Sequence, residues 1–376
     1  MKKIAILLSI SLLIGLGGYA QKNKRTSAYM YNKNMQYDKA KQAIDEAIQH
    51  EKTINDAKTW MYRGEIYYNI AVSEDPAVKE LAPDAIDVAY ESLLKAKKLD
   101  EKNAYEGELA LYMINLTNLY YKKAADGFQN NEYDVAIDGF KKAFSIAEAD
   151  GRFDTIAAFN IGMAGVLSDS PEVATEYLQK CVDVDFDDPR VYMFYNRSVK
   201  QLGDTARALE IISQGREKYP DELSLLLEEA QIYLEKGETE KLLASLQKAV
   251  VADPENANLY FLIGKSHDDL GDKVAAEENY KKAAEYNPEF FEAYYNIGAI
   301  YVNKASEFQA EANDLPLNEV DKYNELTELA NGELEKAVPY LEKSLELNPE
   351  DVPTLTALKE AYARLKMNDK LQELNK

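Results

Sequence analysis

Residues 254–288, PENANLYFLIGKSHDDLGDKVAAEENYKKAAEYNP, begin and end on prolines 34 residues apart, and their internal spacing decides the fold. Ala276, Tyr280 and Ala283 stand at i, i+4 and i+7, which is one face of a helix. Gly271 interrupts the run ahead of them, where a turn is expected. Before that turn, Tyr260 and Ile263-Gly264 mark a first helix. The same offsets restart at Pro288 with Tyr294, Ile297-Gly298 and Tyr301, followed later by Ala337, Leu341, Ser344 and "LNP". They are also present near the start, as Trp60, Arg63-Gly64 and Tyr67, then Ala89, Leu93 and Ala96.

Stacking these units gives three columns. The first holds Ala40, Ala89, Ala136, Ala174, Ala208, Leu242, Ala276 and Ala337. Four residues on come Ile44, Leu93, Phe140, Leu178, Ile212, Leu246, Tyr280 and Leu341. Three further on come Ala47, Ala96, Ala143, Cys181, Gly215, Ala249, Ala283 and Ser344. Small residues let two helix backbones approach, and the large residue between them fills the space between units. Each hairpin leaves an apolar face that only its neighbours cover, so the units must stack.

With these columns in view, the chain resembles the tetratricopeptide repeat (TPR) family, whose pattern is W-x2-L-G-x2-Y in one helix and A-x3-F with A-x4-P in the next. The resemblance covers nearly all of residues 21–376. It implies an all-α, right-handed α-solenoid of about seven to eight helix-turn-helix repeats, read here as a single domain. Trp60 is then expected as a wedge in the core, and Gly64 as the point where the partner helix comes close. Insertions break the period near 71–83 and 302–335. Residues 104–129 read as an overlong first helix. In the larger insertion "LPLN" breaks the helix, Asn318 caps a new one, and "NG" at 331–332 ends it. Pro339 departs from helix rules. The 302–335 segment reads either as a tolerated solvated excursion or as a projecting docking element.

Residues 1–20 read differently. "MKK" is basic, "IAILLSISLLIGL" is apolar, and Gly18 and Ala20 are small residues ahead of Gln21, the three-part pattern of a cleaved signal peptide. No cysteine stands at the cut, so no lipid is attached there, and no later apolar run reaches a membrane span. The expectation is an exported, periplasmic protein.

The chain has 376 residues, 46% hydrophobic and 29% charged, and it can bury a core. Its net charge of -22 excludes nucleic acid and anionic membrane as expected partners. The single cysteine, Cys181, occupies a small-residue column, so it reads as buried and not as a reactive thiol. "DVDFDD" at 183–188 lacks the turn glycine and the closing glutamate of a calcium loop. His50 and His267 have no metal-ligand neighbours at useful spacing. No catalytic constellation, metal site or cofactor is expected, and the protein is not expected to be an enzyme.

TPR arrays bind peptides or helices on the face formed by their first helices. The resemblance therefore places a partner groove at positions beside the packed columns: Met61, Glu65, Tyr68, Asn69, Phe159, Asn160, Met163, Met193, Phe194, Arg197, Lys200, Leu227, Glu228, Gln231, Phe261, Lys265, Tyr295, Asn296 and Asn303. Arg197, Lys200 and Lys265 read as a basic island suited to a carboxylate. The expected function is a non-catalytic scaffold for a protein or peptide partner. The alternative is a carbohydrate- or cell-wall-binding or export accessory protein, since 27 tyrosines offer rings for sugar stacking.

Overall fold

The three columns mark the places where paired helices come closest. Ala276 and Ala283 are fully buried and Tyr280 between them nearly so, and every other member of the columns is likewise buried. The computed structural model describes residues 24–374. The expected leader, residues 1–20, lies outside them.

The described residues form two compact units that divide between Phe186 and Asp187. In the first, α1 covers 24–33, followed by α2 (Tyr37–Ala47), α3 (Ala57–Val72), a short α4 (Pro76–Lys79), α5 (Ala85–Leu99), α6 (Glu106–Gln129), α7 (Tyr133–Ala149), α8 (Thr155–Leu167) and α9 (Pro171–Asp183). In the second come α10 (Arg190–Gln201), α11 (Thr205–Lys218), α12 (Leu223–Lys236), α13 (Thr239–Ala252), α14 (Ala257–Asp269), α15 (Lys273–Tyr286), α16 (Phe291–Asn313), α17 (Val320–Leu347), α18 (Val352–Arg364) and α19 (Asn368–Glu373). No strand occurs among the described residues.

Hairpins form by pairing α3 with α5, α6 with α7 and α8 with α9, and in the second unit α10 with α11, α12 with α13, α14 with α15 and α16 with α17. Within each unit, second helices also pack on the next first helix, as α5 does on α6 and α13 on α14. The chain is thus the all-α repeat array that its columns predict.

Within a hairpin, the first helix presents a glycine to the large residue of the second. A methyl group added at Gly64 would stand 2.5 Å from Leu93 Cδ2; at Gly264, 2.8 Å from Tyr280 Cδ1; at Gly298, 2.6 Å from Leu341 Cδ2. Gly162 meets Leu178 in the same way. In the remaining hairpins this register holds Ala28, Ala124, Ala230 and Asn196, all buried. The glycine costs helix propensity but permits the backbone approach that buries a Leu or Tyr, worth about 1.5–3 kcal/mol.

The turn between the two helices is equally regular. The residue five places before the first column adopts a left-handed conformation, as Gly237 (φ 68°) and Gly271 (φ 85°) show. Met35, Asn131 and Asp169 take the same conformation at that register despite their side chains. Aspartates then cap many of the helices, with Asp56 accepting from the Thr59 amide at 3.0 Å and Asp351 from Thr354 at 2.8 Å.

Two expectations need correction. Trp60 is half-buried at the edge of the core and not a wedge inside it. Its Nε1 donates to the Ile54 carbonyl at 2.6 Å, tying down the loop before α3. The "NG" at 331–332 does not end a helix, because α17 runs unbroken from Val320 to Leu347 through Gly332 and Pro339. Gly332 sits at the register where other hairpins turn, but α16 extends to Asn313 and moves the turn to 314–319. Leu326, Ala330, Leu334, Ala337, Val338 and Leu341 then bury one continuous face, which outweighs the local cost of the proline. Near 71–83, α3 ends at Val72 and α4 occupies the insertion.

Overpacking at the close approach should be costly. Gly64→Ala is expected to destabilise the protein by about 1–3 kcal/mol. Gly107→Ala, where an added methyl meets nothing within 4 Å, should stabilise it by about 0.5–1 kcal/mol. Urea unfolding midpoints compare the two, and a neutral Gly64→Ala would remove the close-approach argument.

Candidate functional site

In the first unit the inner helices α1, α3 and α6 enclose a cleft of about 290 Å³. Helical periodicity brings Tyr29 and Lys33 of α1 to the same side as Lys58, Met61, Tyr62 and Glu65 of α3. Tyr105, just ahead of α6, and Glu108, Leu111 and Tyr112 on the extended start of α6 complete the wall.

The rings of Tyr29 and Tyr62 stack with centroids 4.7 Å apart, at an interplanar angle of 22°. Lys33 Nζ lies 5.4 Å over Tyr29, and Lys58 Nζ 5.4 Å over Tyr62. Tyr68 meets Tyr112 edge-on at 5.5 Å. Beneath them runs a polar ladder. The amide of Asn32 donates to Glu65 Oε1 at 3.1 Å, and the amide of Asn69 donates to Asn32 Oδ1 at 3.1 Å. Burial pushes the Glu65 carboxyl above its ordinary range, and the like charge of Glu108 adds to this. Lys33 and a hydrogen bond with Tyr112 oppose the shift without cancelling it. Glu65 is therefore a carboxylate held partly out of water, facing a cleft walled by aromatic rings.

Of the residues named from the sequence, Met61 and Glu65 line this cleft, while Tyr68 and Asn69 adjoin it through Tyr112 and Asn32. Met61 is 2% exposed, so it forms the floor and is not a free contact. Phe159 is also removed from the exposed set. It is buried in the hairpin core with its ring 6.1 Å from Phe186. Asn160 and Met163 are half-buried on α8 and do not line the cleft. The sequence reading missed Tyr29, Lys33, Tyr62, Glu108 and Tyr112. A signal for α1 was present in Ala28, which precedes Ala40 by the same twelve residues that separate Gly264 from Ala276.

In the second unit the basic island is neutralised. Both Nε and Nη2 of Arg197 contact Glu228, the latter at 2.6 Å, and Asn196 donates to the same carboxylate at 2.7 Å. Lys200 pairs with Glu235 at 2.8 Å, which also accepts from Gln231 at 2.9 Å. Lys265 lies 3.9 Å from Asp269. Residues about one repeat further on supply the carboxylates for Arg197 and Lys200, so neither waits for a ligand carboxylate. Phe261 packs on Tyr280 and Phe290, and Tyr295 packs against the core of the last hairpins. Met193, Phe194 and Asn296 are half-buried, and Leu227 and Asn303 are exposed. Cys181 is fully buried and its thiol is pushed up to about 12 by that burial, as befits an inert column residue.

Comparison with known families agrees with repeats in part of the chain. Tetratricopeptide repeat profiles match residues 197–257, 257–290 and 326–351. Mouse (Mus musculus) BBSome complex member BBS4 is 30% identical over 140 residues, which cover 35% of this chain and 26% of that protein. The chain therefore spans about a quarter of that relative's length. Among solved structures, MamA from Desulfovibrio magneticus RS-1, residue 41 to its end, is 20% identical with a TM-score of 0.40, covering 53% of this chain and 97% of that one. Another MamA crystal structure is 20% identical with a TM-score of 0.36, covering 48% and 89%.

The raised Glu65 carboxyl has a signed consequence for stability. The folded chain holds that proton more tightly than the unfolded chain, so stability falls as pH rises through and above the ordinary glutamate value of 4.5. Glu65→Gln keeps the acceptor for Asn32 and removes the charge. It should raise the melting temperature at pH 7, with the difference closing as pH falls below the ordinary value. Thermal melts across that range would expose the opposite sign at once.

Proposed function

We propose that this tetratricopeptide-repeat chain is a non-catalytic interaction scaffold, and that the α1–α3–α6 cleft takes a segment of a partner protein through a basic side chain. The observation that carries the reading is Glu65: a half-buried carboxylate, held by the Asn32–Asn69 ladder, that lines a cleft walled by tyrosine rings. A guanidinium or ammonium group entering there gains a charge-assisted hydrogen bond to the Glu65 carboxylate. The ladder and Met61 supply a preorganised floor, which lowers the ordering cost of binding. Burial of Glu65 disfavours its charged form, and such local costs are commonly retained where a residue serves binding.

A sugar ring needs an open aromatic face. The faces of Tyr29 and Tyr62 are turned to one another and to Lys33 and Lys58, which supports a peptide over a glycan. Mouse BBS4, a member of a protein complex by its description, is consistent with an assembly role for the shared repeats. We place the protein in the periplasm on the strength of the leader pattern in residues 1–20. No helix among the described residues is long and apolar enough to cross a membrane.

Panning a random peptide library against the protein should enrich Arg- or Lys-containing peptides. Tyr62→Ala and Glu65→Gln should each weaken the selected peptides by about 1–2 kcal/mol. Retention on cell-wall glycan with no peptide enrichment would overturn the scaffold reading. N-terminal sequencing of protein from a periplasmic fraction should begin at Gln21; a chain retaining Met1 in the cytosol would refute export.

A further inference from the structure

The second candidate surface lies where the array departs from its period. The helices α16 and α17 extend past the ordinary hairpin length and pack on each other through Ala305, Ala312, Leu326 and Ala330, all buried. Arg364 of α18 donates to Gln309 at 3.1 Å and Phe308 packs into the local core, so the base of the extension is held. The extension is thus a braced element, unlike a solvated loop.

Its tip is built against the usual rule for exposed turns. Leu317 is 100% exposed, Val320 58% and Tyr323 41%. With Leu315 and Pro316 they border a cleft of about 340 Å³. Contiguous apolar side chains at the end of a braced projection mark an interaction site more often than chance exposure. Around them, residues 306–329 carry seven carboxylates (Glu307, Glu311, Asp314, Glu319, Asp321, Glu325 and Glu328) against one lysine, Lys322, which sits 3.8 Å from Glu311.

That charge selects the occupant. A second copy of the chain has a net charge of -22 and the same acidic tip, so self-association here is repulsive. Anionic lipid headgroups are repelled for the same reason. We propose that the α16–α17 tip is a docking element, separate from the tyrosine cleft, for a basic amphipathic segment of a partner protein. An apolar side chain of that segment seats between Leu317, Val320 and Tyr323, and its Lys or Arg residues meet the surrounding carboxylates. The apolar contact supplies affinity and the carboxylates supply orientation and rate of encounter.

The test uses the full chain carrying Y62A and E65Q, so that the tyrosine cleft does not take the peptide's lysines, and a fluorescein-labelled peptide of Leu and Lys at helical spacing, with Leu/Glu and Ser/Lys peptides as comparisons, read by fluorescence anisotropy. The expected result is saturable binding of the Leu/Lys peptide alone. L317S/V320S should weaken it about tenfold or more, which corresponds to about 1.4 kcal/mol. D314K/E319K and added salt should weaken it as well. All the tip substitutions are at exposed positions, and circular dichroism checks that folding is unaltered. Unchanged binding by L317S/V320S would show non-specific charge attraction and overturn the proposal. Equal binding of the Leu/Glu peptide would overturn it too. Dimerisation abolished by L317S/V320S, or phosphatidylcholine vesicle binding abolished by it, would assign the tip to self-association or lipid instead.

Discussion

A glycine or alanine on one helix meeting a large apolar residue on its partner is the contact on which the rest of the structure depends. Gly64 against Leu93, Gly264 against Tyr280 and Gly298 against Leu341 are the same event in three hairpins. If the backbones stood further apart, the large residue would have nothing to fill, and the small residues on either side of it would line a void. Interiors are packed densely enough that such a gap is costly. The left-handed turn residue follows from this constraint, because it returns the chain quickly enough for the second helix to arrive in register.

Asn196 is the exception within that column, and it is informative. It is fully buried where other hairpins have glycine or alanine, and its amide donates to Glu228 of the next hairpin. Its nitrogen is paired while its buried Oδ1 has no partner, so the Glu228 contact offsets only part of the cost of burying it. Here the pairing belongs to a broader pattern in which side chains meet at offsets close to one repeat length. Asn32 to Glu65, Tyr120 to Asp87, Tyr121 to Asp154 and Arg197 to Glu228 are all of this kind. Neighbouring hairpins are joined by apolar stacking and by these repeat-spaced polar contacts. In the first unit, one such contact, Asn32 to Glu65, holds a carboxylate that lines the tyrosine cleft.

Both proposed surfaces arise where the array exceeds its repeat. The start of α6 carries Glu108 and Tyr112 into the cleft because that helix is longer than a standard first helix. The α16–α17 tip projects because two helices grow together beyond the point at which other hairpins turn. Regular positions are committed to stacking, which explains why Phe159, Phe261 and Tyr295, residues of interface type, pack into the core. Extra length is free of that obligation.

How far the sequence reached depended on the range of the interaction. Columns at i, i+4 and i+7 recur within each hairpin, so the helices, their order and the buried face were all legible in the residues. The overlong helix at 104–129 was legible too, as was the insertion at 302–335. The end of α17 was not, because "NG" is a local turn signal and the continuous burial of Leu326 to Leu341 against α16 overrides it. The pairing of Arg197 and Lys200 with carboxylates was hidden for a similar reason. Their carboxylates lie 31 and 35 residues away, and only the rise from one hairpin to the next brings them within hydrogen-bonding distance. Local periodicity alone determined what this chain folds into. Which of its polar and aromatic residues face one another, and so which remain for a partner, was decided by the stacking of hairpins, an interaction between residues a full repeat apart.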